Sequence, residues 1–434
     1  MECNALHMNL SDLKIAGYNN YNIFNFSYMS LEAVKVRLKL TEEEISFCKQ
    51  NAGASRWVYN QALAAQIQYY DSQQDLVDKK FYTNTQLSRS LTLAKQDPNF
   101  NWLKSYESTC LQQSLQNLDQ AFTNFFNSKN GSRKGRPVGF PKFKSKAKTK
   151  QSFTIVNNID SIVICENLIK IPKLGWVRVW SGNKRLKLVH HIKRVTISKD
   201  SDGHWYAAIL CEKEPRKVFP SANNTTGGLD LGLKTSVITN TGIEYNIPDK
   251  IIKLEKKIAK LQRALHRKVR DSKNREKARA KLSKCYFRIK KLRENFYHQL
   301  SALIATHVDI LTIETLNIQG MLKNRKLARA ISSQGWFQFI TYLKYKLEKS
   351  GKILIQVGQF FPSSKLCSCC GDSNNNLTLA VRTWTCGSCN TTHDRDINAA
   401  NNLNNISKWL RATGEVITTK NDYLASIIPS LSGI

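Results

Sequence analysis

Four cysteines in the C-terminal part of the chain most constrain how it can fold. Cys367 and Cys370 form one pair, Cys386 and Cys389 form a second, and each pair encloses two residues. Two pairs with this spacing can place four thiolates tetrahedrally around one Zn²⁺ ion. Because all four ligands are cysteines, no position is left for a catalytic water, and a module this short needs the metal in order to fold. The sequence therefore predicts a structural zinc ribbon.

Three neighbours of these cysteines carry local predictions. Gly371 and Gly387 lie beside the two pairs, where tight turns require backbone freedom. Cys369 lies inside the first pair, and we interpret it as a bystander. Ligation by Cys369 in place of Cys370 is the strained alternative.

Three acidic residues that are far apart in the sequence lie at the ends of predicted core elements. Asp230 interrupts an apolar strand, Glu314 ends a second strand and Asp396 opens a helix. Each has a simpler interpretation, as a strand-edge acid, a loop acid and an N-capping acid respectively. Together, however, their oxygens suit Mg²⁺ or Mn²⁺ rather than zinc, and two such ions about 4 Å apart support phosphodiester hydrolysis. Asp394 is the main competitor for the third position.

The charge of the chain indicates its class of partner. It contains 66 Lys and Arg against 33 Asp and Glu, a formal net charge of +33, which is typical of proteins that bind nucleic-acid phosphates. The alternatives are a basic secreted protein and a membrane-surface protein. The odd cysteine number, 11, and the absence of a secretory pattern in residues 1–30 predict a reducing compartment. Since no stretch of 18 apolar residues occurs, the sequence predicts no membrane span. Together these features predict a cytoplasmic protein with no membrane partner.

Changes in hydrophobic period divide the N-terminal half. Residues 34–40 alternate apolar and basic side chains, which predicts a strand. Thr41, followed by acids, predicts the start of a helical region that continues to about residue 127. Short alternating runs over 151–215 predict a small β-barrel. We expect the strand at 34–40 to join this barrel, so that the helices form an insertion.

Two strongly basic segments follow. Residues 129–150 contain nine Lys and Arg and no acid, and they form either a solvated linker or a loop that follows phosphates. In the second case Phe140 and Phe143 either anchor the loop or stack on bases. Residues 251–300 have leucines and isoleucines at helical spacing, which predicts an amphipathic helix or helical hairpin with a basic face. From residue 226 onward, strands alternate with helices, which predicts an α/β arrangement.

Five segments of the chain contain most of these candidate residues: GLDLGLKTSVIT, IETLNIQGML, KNRKLARAISSQGWFQF, FPSSKLCSCCG and HDRDINAANNL. Together they resemble the TnpB (OrfB-type) proteins of IS200/IS605-type insertion sequences, a family related to the type V CRISPR nucleases. The resemblance extends through VKVRLKLTEEE, RWVYNQAL and GFPKFK, and it spans about residues 33–410. Residues 1–30 lie outside it.

The resemblance implies a multidomain α+β protein. Its parts are a helical recognition lobe, a wedge β-barrel and a RuvC-like nuclease domain of the RNase H fold with an inserted zinc ribbon. The predicted boundaries are a variable leader over 1–32, the wedge barrel over 33–40 and 128–215, the recognition lobe over 41–127, the nuclease domain over 226–365 and 391–410, the zinc ribbon over 366–390 and a C-terminal tail over 411–434.

The resemblance also implies an activity, which is RNA-guided cleavage of DNA with Mg²⁺ or Mn²⁺ as the catalytic cofactor, and association with the nucleoid of a prokaryote. Asp230, Glu314 and Asp396 match the three catalytic acids of the family. Family members bind an RNA transcribed from the transposon end and pair its guide segment with target double-stranded DNA. They then cut beside a short transposon-adjacent motif, so base pairing recognises the sequence and the protein recognises duplex shape and that motif.

Five residues are predicted to contact nucleic acid. Arg56, Tyr59 and Asn60 lie on the RWVYN helix, and Lys142 and Lys144 lie in the basic loop. For the helix, a buried aromatic seam with a capped polar edge is an equally good interpretation.

Two other functions stay open at this point. One is a non-cleaving, RNA-guided DNA-binding repressor, although such proteins lose acids that this chain retains. The other is a zinc-ribbon DNA-binding accessory of transposition that carries no RNA. A strand-transfer transposase is disfavoured because no tyrosine nucleophile occurs beside a suitable metal-site pattern.

Overall fold

The structure is a computed structural model that describes residues 30–73, 80–133, 135–180, 186, 189–213, 225–359, 361–378 and 380–413. The chain divides into two compact units, one within Phe26–Pro215 and one within Arg216–Ile434. Residues 1–29 of the predicted leader and residues 414–434 of the predicted tail lie outside the described residues.

The N-terminal unit contains an antiparallel sheet of seven described strands. These are β1 (Ser30–Lys39), β2 (Ser152–Val156), β3 (Val163–Cys165), β4 (Leu168–Ile171), β5 (Gly175–Val179), β6 (His190–Lys199) and β7 (Trp205–Lys213). They pair in the order β2-β6-β7-β1-β5-β4-β3. β1 therefore joins the later strands, as predicted, and the helices between β1 and β2 are an insertion. The described pairings do not join β2 to β3, so closure into a barrel stays a prediction.

The insertion is helical, as its sequence predicts. Its described helices are α1 (Glu42–Asp71), α2 (Asn84–Ala94), a 3₁₀ helix (Pro98–Ser105) and α3 (Ser108–Lys129). Thr41 begins α1 with a capping box, in which the backbone N–H of Glu44 donates to Thr41 Oγ1 (3.2 Å) and the N–H of Thr41 donates to Glu44 Oε2 (2.7 Å). Buried residues such as Leu63, Leu111 and Leu118 form the core between the helices.

The basic segment between α3 and β2 has no helix or strand among its described residues. Phe140 packs edge-on against Phe122 and Phe125, with ring centroids 5.4 and 5.5 Å apart. Phe140 therefore anchors the segment to α3. Phe143, in contrast, is 58% exposed.

The C-terminal unit is built on a mixed sheet. Its strands are β8 (Thr226–Asp230), β9 (Val237–Thr239), β10 (Glu244–Tyr245), β11 (Ile310–Glu314) and β12 (Ile353–Val357). They pair in the order β10-β9-β8-β11-β12, with β8, β11 and β12 parallel and β9 and β10 antiparallel. The β9–β10 hairpin turns at Gly242, whose positive φ (+80°) suits glycine. A separate hairpin contains β13 (Thr383–Thr385) and β14 (Thr392–Asp394).

Helices cover both faces of this sheet. They are α4 (Asp249–His266), α5 (Lys273–His307), α6 (Ile318–Met321), α7 (Ala328–Gln334), α8 (Trp336–Lys349) and α9 (Arg395–Thr413). α5 and α8 share a core with Leu311 and Leu354, whereas α9 packs with Ile355, the next residue of β12. Since successive strand residues point to opposite faces, α9 lies on the face opposite α5 and α8. The basic pair α4 and α5 packs as the predicted helical hairpin.

Close contact between α9 and β8 depends on Gly228. A Cβ atom at this position would lie 2.1 Å from the carbonyl oxygen of Ala400 and 2.4 Å from the backbone nitrogen of Asn404. Only glycine therefore lets the helix approach the strand this closely. In the described ranges, no helix combines the length and apolarity that a membrane crossing requires.

Candidate functional site

Asp230 and Glu314 lie at the ends of two neighbouring parallel strands. β8 and β11 pair in register up to Leu229 and Ile313, which are buried in the sheet core. The next residue in each strand is the acid, so the two carboxylates leave the sheet at the same edge. For β11 this placement follows from the sequence, because its apolar run ends at Glu314. The sequence instead predicts that Asp230 interrupts a strand, and the structure ends β8 at this residue.

Burial and mutual repulsion govern the charge of this pair. The pKa of Asp230 is raised, first by burial and then by the charges of Glu314 and Asp396, while Arg395 acts in the opposite direction. Burial also raises the pKa of Glu314, against a hydrogen bond from Ser363 and the charge of Arg395. Two partly exposed carboxylates with raised pKa values favour a bound cation, because a cation lets both ionise. Their oxygens are the donors that Mg²⁺ and Mn²⁺ prefer.

Asp396 lies in the first turn of α9, but it does not cap the helix. Asp394 Oδ1 accepts hydrogen bonds from the backbone N–H groups of Asp396 and Ile397, each at 3.0 Å. The capping interpretation of Asp396 is therefore wrong, and the cap is Asp394, which the sequence analysis considered only as a competing third acid. The Asp396 carboxylate instead pairs with Arg382, whose Nη1 lies 3.1 and 3.0 Å from its two oxygens.

The three acids are near one another without forming a compact ligand set. Asp396 is close enough for its charge to raise the pKa of Asp230. Within the described part of the chain, however, only the four cysteines form a group of three or more His, Cys, Asp or Glu side chains with ligand atoms within 4.8 Å of one another. Asp396 is instead paired with Arg382.

Sequence reasoning missed the residues that support Glu314. Ser363 donates its hydroxyl hydrogen to Glu314 Oε1. Asn402 Nδ2 donates to the carbonyl oxygens of Ser363 (2.6 Å) and Leu366 (2.7 Å), and Asn398 Nδ2 donates to Leu366 (2.7 Å). Asn398 and Asn402 are buried on one face of α9. Polar amides four residues apart on an apolar helix face are the signal that could have identified them.

The four predicted cysteines come together as a tetrahedral metal site requires. Cys367 Sγ and Cys389 Sγ are 3.6 Å apart, as are Cys370 Sγ and Cys386 Sγ. Four sulfurs at about 2.3 Å from one zinc ion lie about 3.8 Å from each other, so the thiols fit Zn²⁺. His393 Nε2 lies 3.0 Å from Cys367 Sγ, as an outer hydrogen-bonding partner of the site.

The turns beside the cysteines match the prediction in part. Gly371 has φ +78°, as expected for the first turn. The second turn instead places Asn390 in the left-handed region (φ 55°), and Gly387 does not have a positive φ. Asparagine can adopt this conformation because its short polar side chain tolerates it. Cys369 is exposed and lies outside the four-sulfur group, as a bystander should.

The five candidate nucleic-acid residues have different environments. Tyr59 is only 4% exposed, and the Lys144 ammonium lies 3.5 Å from its ring centroid. The Asn60 side chain donates to the Lys144 carbonyl oxygen (2.9 Å) and accepts from the Lys144 N–H (2.8 Å). Tyr59 and Asn60 thus hold the basic loop against α1, as the buried-seam interpretation describes. Arg56 lines a polar cleft of about 70 Å³ and Lys142 is exposed, so their contacts with nucleic acid stay predictions.

Three family models match the chain. The OrfB_IS605 "Helix-turn-helix domain" matches residues 29–75, the OrfB_IS605 "Probable transposase" matches residues 208–325, and the "Cas12f1-like, TNB domain" matches residues 336–403. The last match includes α8, the four cysteines and the start of α9.

Individual proteins match over most of their length. One relative is a Streptomyces pristinaespiralis protein that is named as a proposed RNA-guided DNA endonuclease. It is 33% identical over 379 residues, which cover 86% of this chain and 88% of the relative. InsQ of Escherichia coli (strain K12), whose name proposes the same, is 28% identical over 404 residues, covering 89% and 95%. The chain is also similar in fold to a protein in a cryo-EM structure of a Cas12f1–sgRNA–target DNA complex, with a TM-score of 0.50, 14% identity and coverage of 87% and 99%.

Proposed function

Because this chain belongs to the TnpB family of IS200/IS605-type elements, we propose that it is an RNA-guided DNA endonuclease that depends on Mg²⁺ or Mn²⁺. The observation that carries the proposal is the pair of carboxylates, Asp230 and Glu314, at adjacent ends of β8 and β11. The proposed target is double-stranded DNA next to a short transposon-adjacent motif. The proposed guide is an RNA transcribed from the transposon end.

The residues around this pair have distinct proposed roles. Asp230 and Glu314 would hold the divalent cations, with Asp396 as the third acid. When bound, such ions supply a nucleophilic hydroxide and stabilise the leaving oxygen of the phosphodiester. The Ser363 hydroxyl orients Glu314, because its hydrogen bond occupies one of the two carboxylate oxygens. Arg382 holds Asp396, and the positive charge of Arg395 favours ionisation of Asp230 and Glu314.

The sheet topology supports an RNase H-type nuclease domain. Three parallel strands flanked by an antiparallel hairpin, with acids at the ends of two central strands, suit the RuvC-like domain proposed over 226–365 and 391–410. The zinc ribbon over 366–390 is proposed as an insertion between these two parts. The wedge barrel over 33–40 and 128–215 and the recognition lobe over 41–127 are proposed to bind RNA and duplex DNA, for which the net charge of +33 is suited.

A cleavage assay tests the proposal. The chain is purified with its RNA and mixed with a plasmid that carries a matched target beside randomised flanking sequence, in the presence of Mg²⁺. Asp230→Asn removes the negative charge of one proposed metal ligand while preserving its size. Because a bound metal stabilises the transition state by several kcal/mol, the cleavage rate should fall by about 10³-fold or more. Glu348→Gln is the matched control, because Glu348 forms only an exposed ion pair on α8.

The other outcomes separate the alternative functions. Full cleavage by Asp230→Asn contradicts the assignment of the site. Stable binding of the matched target without a cut, in the wild type with Mg²⁺, supports the repressor. Purification without an RNA of defined end sequence supports the zinc-ribbon accessory of transposition.

A further inference from the structure

The outer face of β5 exposes two tryptophans. Val177 and Val179 are buried in the sheet core, so Trp176 and Arg178 point to the opposite face. Trp180 continues this pattern, because its backbone N–H donates to the carbonyl oxygen of Arg37 on β1 (2.9 Å). Trp176 is 47% exposed and Trp180 is 51% exposed. Large aromatic side chains on a solvent-facing sheet surface indicate a binding surface.

Cations from neighbouring strands surround the two indoles. Lys39 on β1 is the register partner of Arg178, and Lys170 on β4 is the register partner of Trp176. Directly opposite residues share a face, so these lysines lie beside the tryptophans, and both are exposed. The Arg37 guanidinium stacks over the Trp180 ring at 4.4 Å. We call these six residues, Arg37, Lys39, Lys170, Trp176, Arg178 and Trp180, the tryptophan face.

The face contains a groove beside Trp180. Its volume is about 470 Å³, and its lining includes Lys39, Arg178 and Trp180, with Glu166 as its acidic residue. This volume lies within the range of small-molecule pockets and can hold a nucleobase. Among the tryptophan face and the groove lining, four cations stand against one acid, so this part of the surface is positive.

We propose that the tryptophan face binds an unpaired segment of the guide RNA, by stacking bases on Trp176 and Trp180 while the cations contact phosphates. The inference rests on the proposed function for the identity of the RNA. Aromatic rings among cations are the combination that binds single-stranded nucleic acid, since every base has a face that can stack. Four strand residues separate the indoles by about 13 Å, so they hold bases that have been splayed apart.

RNA fits this face better than DNA does. Proteins recognise RNA mainly through unpaired loops and bulges whose bases stack on aromatic side chains. The target strand, in contrast, is paired either with its complement or with the guide, so its bases cannot stack on side chains. The displaced non-target strand is unpaired only after the guide has paired with the target, and the affinity for single-stranded DNA measured below separates it from the guide RNA. An acidic protein partner would use the cations but would gain nothing specific from two separated indoles.

Substitutions that keep apolar volume but remove the aromatic ring test the proposal. In the full chain, Trp176→Leu and Trp180→Leu are compared with Trp176→Phe and Trp180→Phe, and the dissociation constant for labelled guide RNA is measured at fixed salt. We expect each leucine variant to bind roughly tenfold or more weakly, and each phenylalanine variant to stay within a few-fold of the wild type. Phe337→Leu is the control, because Phe337 is an aromatic residue 76% exposed on α8 of the other unit.

Each outcome decides the question. Equal RNA affinity in the leucine and wild-type proteins overturns the proposal, as does a loss that affects only single-stranded DNA. A wild-type protein that binds no RNA overturns the proposed function itself. RNA binding that depends on the tryptophans but is not accompanied by cleavage supports the inference about the tryptophan face and contradicts the proposed cleavage activity. If a leucine variant melts at a lower temperature, Arg178→Gln replaces it. The slope of the logarithm of the RNA-binding constant against the logarithm of the salt concentration should then become shallower by about one, because one phosphate contact is lost. An unchanged slope refutes the inference.

Discussion

Replacement of Gly228 by alanine should separate α9 from β8 and thereby disturb the carboxylate site. The new Cβ atom would lie 2.1 Å from the Ala400 carbonyl oxygen, against a minimum of 3.0 Å in real contacts, so the helix must move by about 0.9 Å. The blocking atoms belong to the backbone and cannot rotate away. Overpacking of this kind lowers the free energy of unfolding by about 1–3 kcal/mol. Alanine also reduces the conformational entropy of the unfolded chain, which offsets up to about 1 kcal/mol of this loss.

The expected loss is therefore about 1–2 kcal/mol of unfolding free energy. For a unit of about 200 residues this corresponds to a melting temperature lower by roughly 2–8 °C. Activity should fall further than stability implies, because α9 carries Asp396 and, through Asn402 and Ser363, positions Glu314. A misplacement of about 1 Å can cost about 10²-fold in rate.

Thermal melting and the cleavage rate below the melting temperature measure the two effects. Gly358→Ala in the same unit is the matched control, because no atom lies within 4 Å of its added Cβ. The reasoning is refuted if Gly228→Ala and Gly358→Ala melt at the same temperature and cut at the same rate.

Three further predictions follow from the sites. The raised pKa of Asp230 means that the folded state keeps a proton that the unfolded state releases above about pH 4, so without divalent cations the free energy of unfolding should fall as pH rises from there. Asp230→Asn should flatten this dependence in pH-resolved denaturant titrations, and an unchanged slope contradicts the assignment of the proton. Native mass spectrometry should find one zinc per chain, which the Cys386→Ser variant loses and the Cys369→Ser variant keeps. Zinc that is kept by Cys386→Ser and lost by Cys369→Ser would show that the ligand assignment is wrong. Asp394→Ala removes two capping hydrogen bonds and should lower the free energy of unfolding by about 1 kcal/mol. The melting temperature should then fall by about 2–4 °C, and an unchanged melting temperature would show that Asp394 does not stabilise the helix as its cap.

The asparagines of α9 connect the four-cysteine cluster to the support of the Asp230–Glu314 carboxylate pair. Asn398 binds the backbone on both sides of Cys367, since its Nδ2 donates to Leu366 and its Oδ1 accepts from the N–H of Ser368 (2.9 Å). Asn402 binds the segment that carries Ser363, the partner of Glu314. Because these amides are buried, each lost bond leaves an unsatisfied polar group. The position of the ribbon is thus tied to the helix that carries Asp396.

Local patterns in the sequence determined much of this protein. The period of residues 34–40 predicts β1, Thr41 predicts the start of α1, and the cysteine spacing predicts the metal module, because each depends on neighbours a few residues away. The strand end at Glu314 was also predictable, since the apolar run of β11 stops at its acid, whereas the sequence places Asp230 inside a longer apolar strand and only the structure ends β8 there. Parallel pairing then brings the two acids to one edge of the sheet.

Only the tertiary structure decided which acid caps α9, which arginine holds Asp396 and which serine binds Glu314. These partners lie 2, 14 and 49 residues apart in the sequence. Even for the nearest of them, sequence spacing allows both Asp394 and Asp396 as the cap, and backbone geometry makes the choice. The same holds for Tyr59 and Asn60, which the sequence permits to face nucleic acid and which the fold uses to hold Lys144. Side-chain pairing depends on where long-range packing places each backbone, and a one-dimensional pattern does not contain that information.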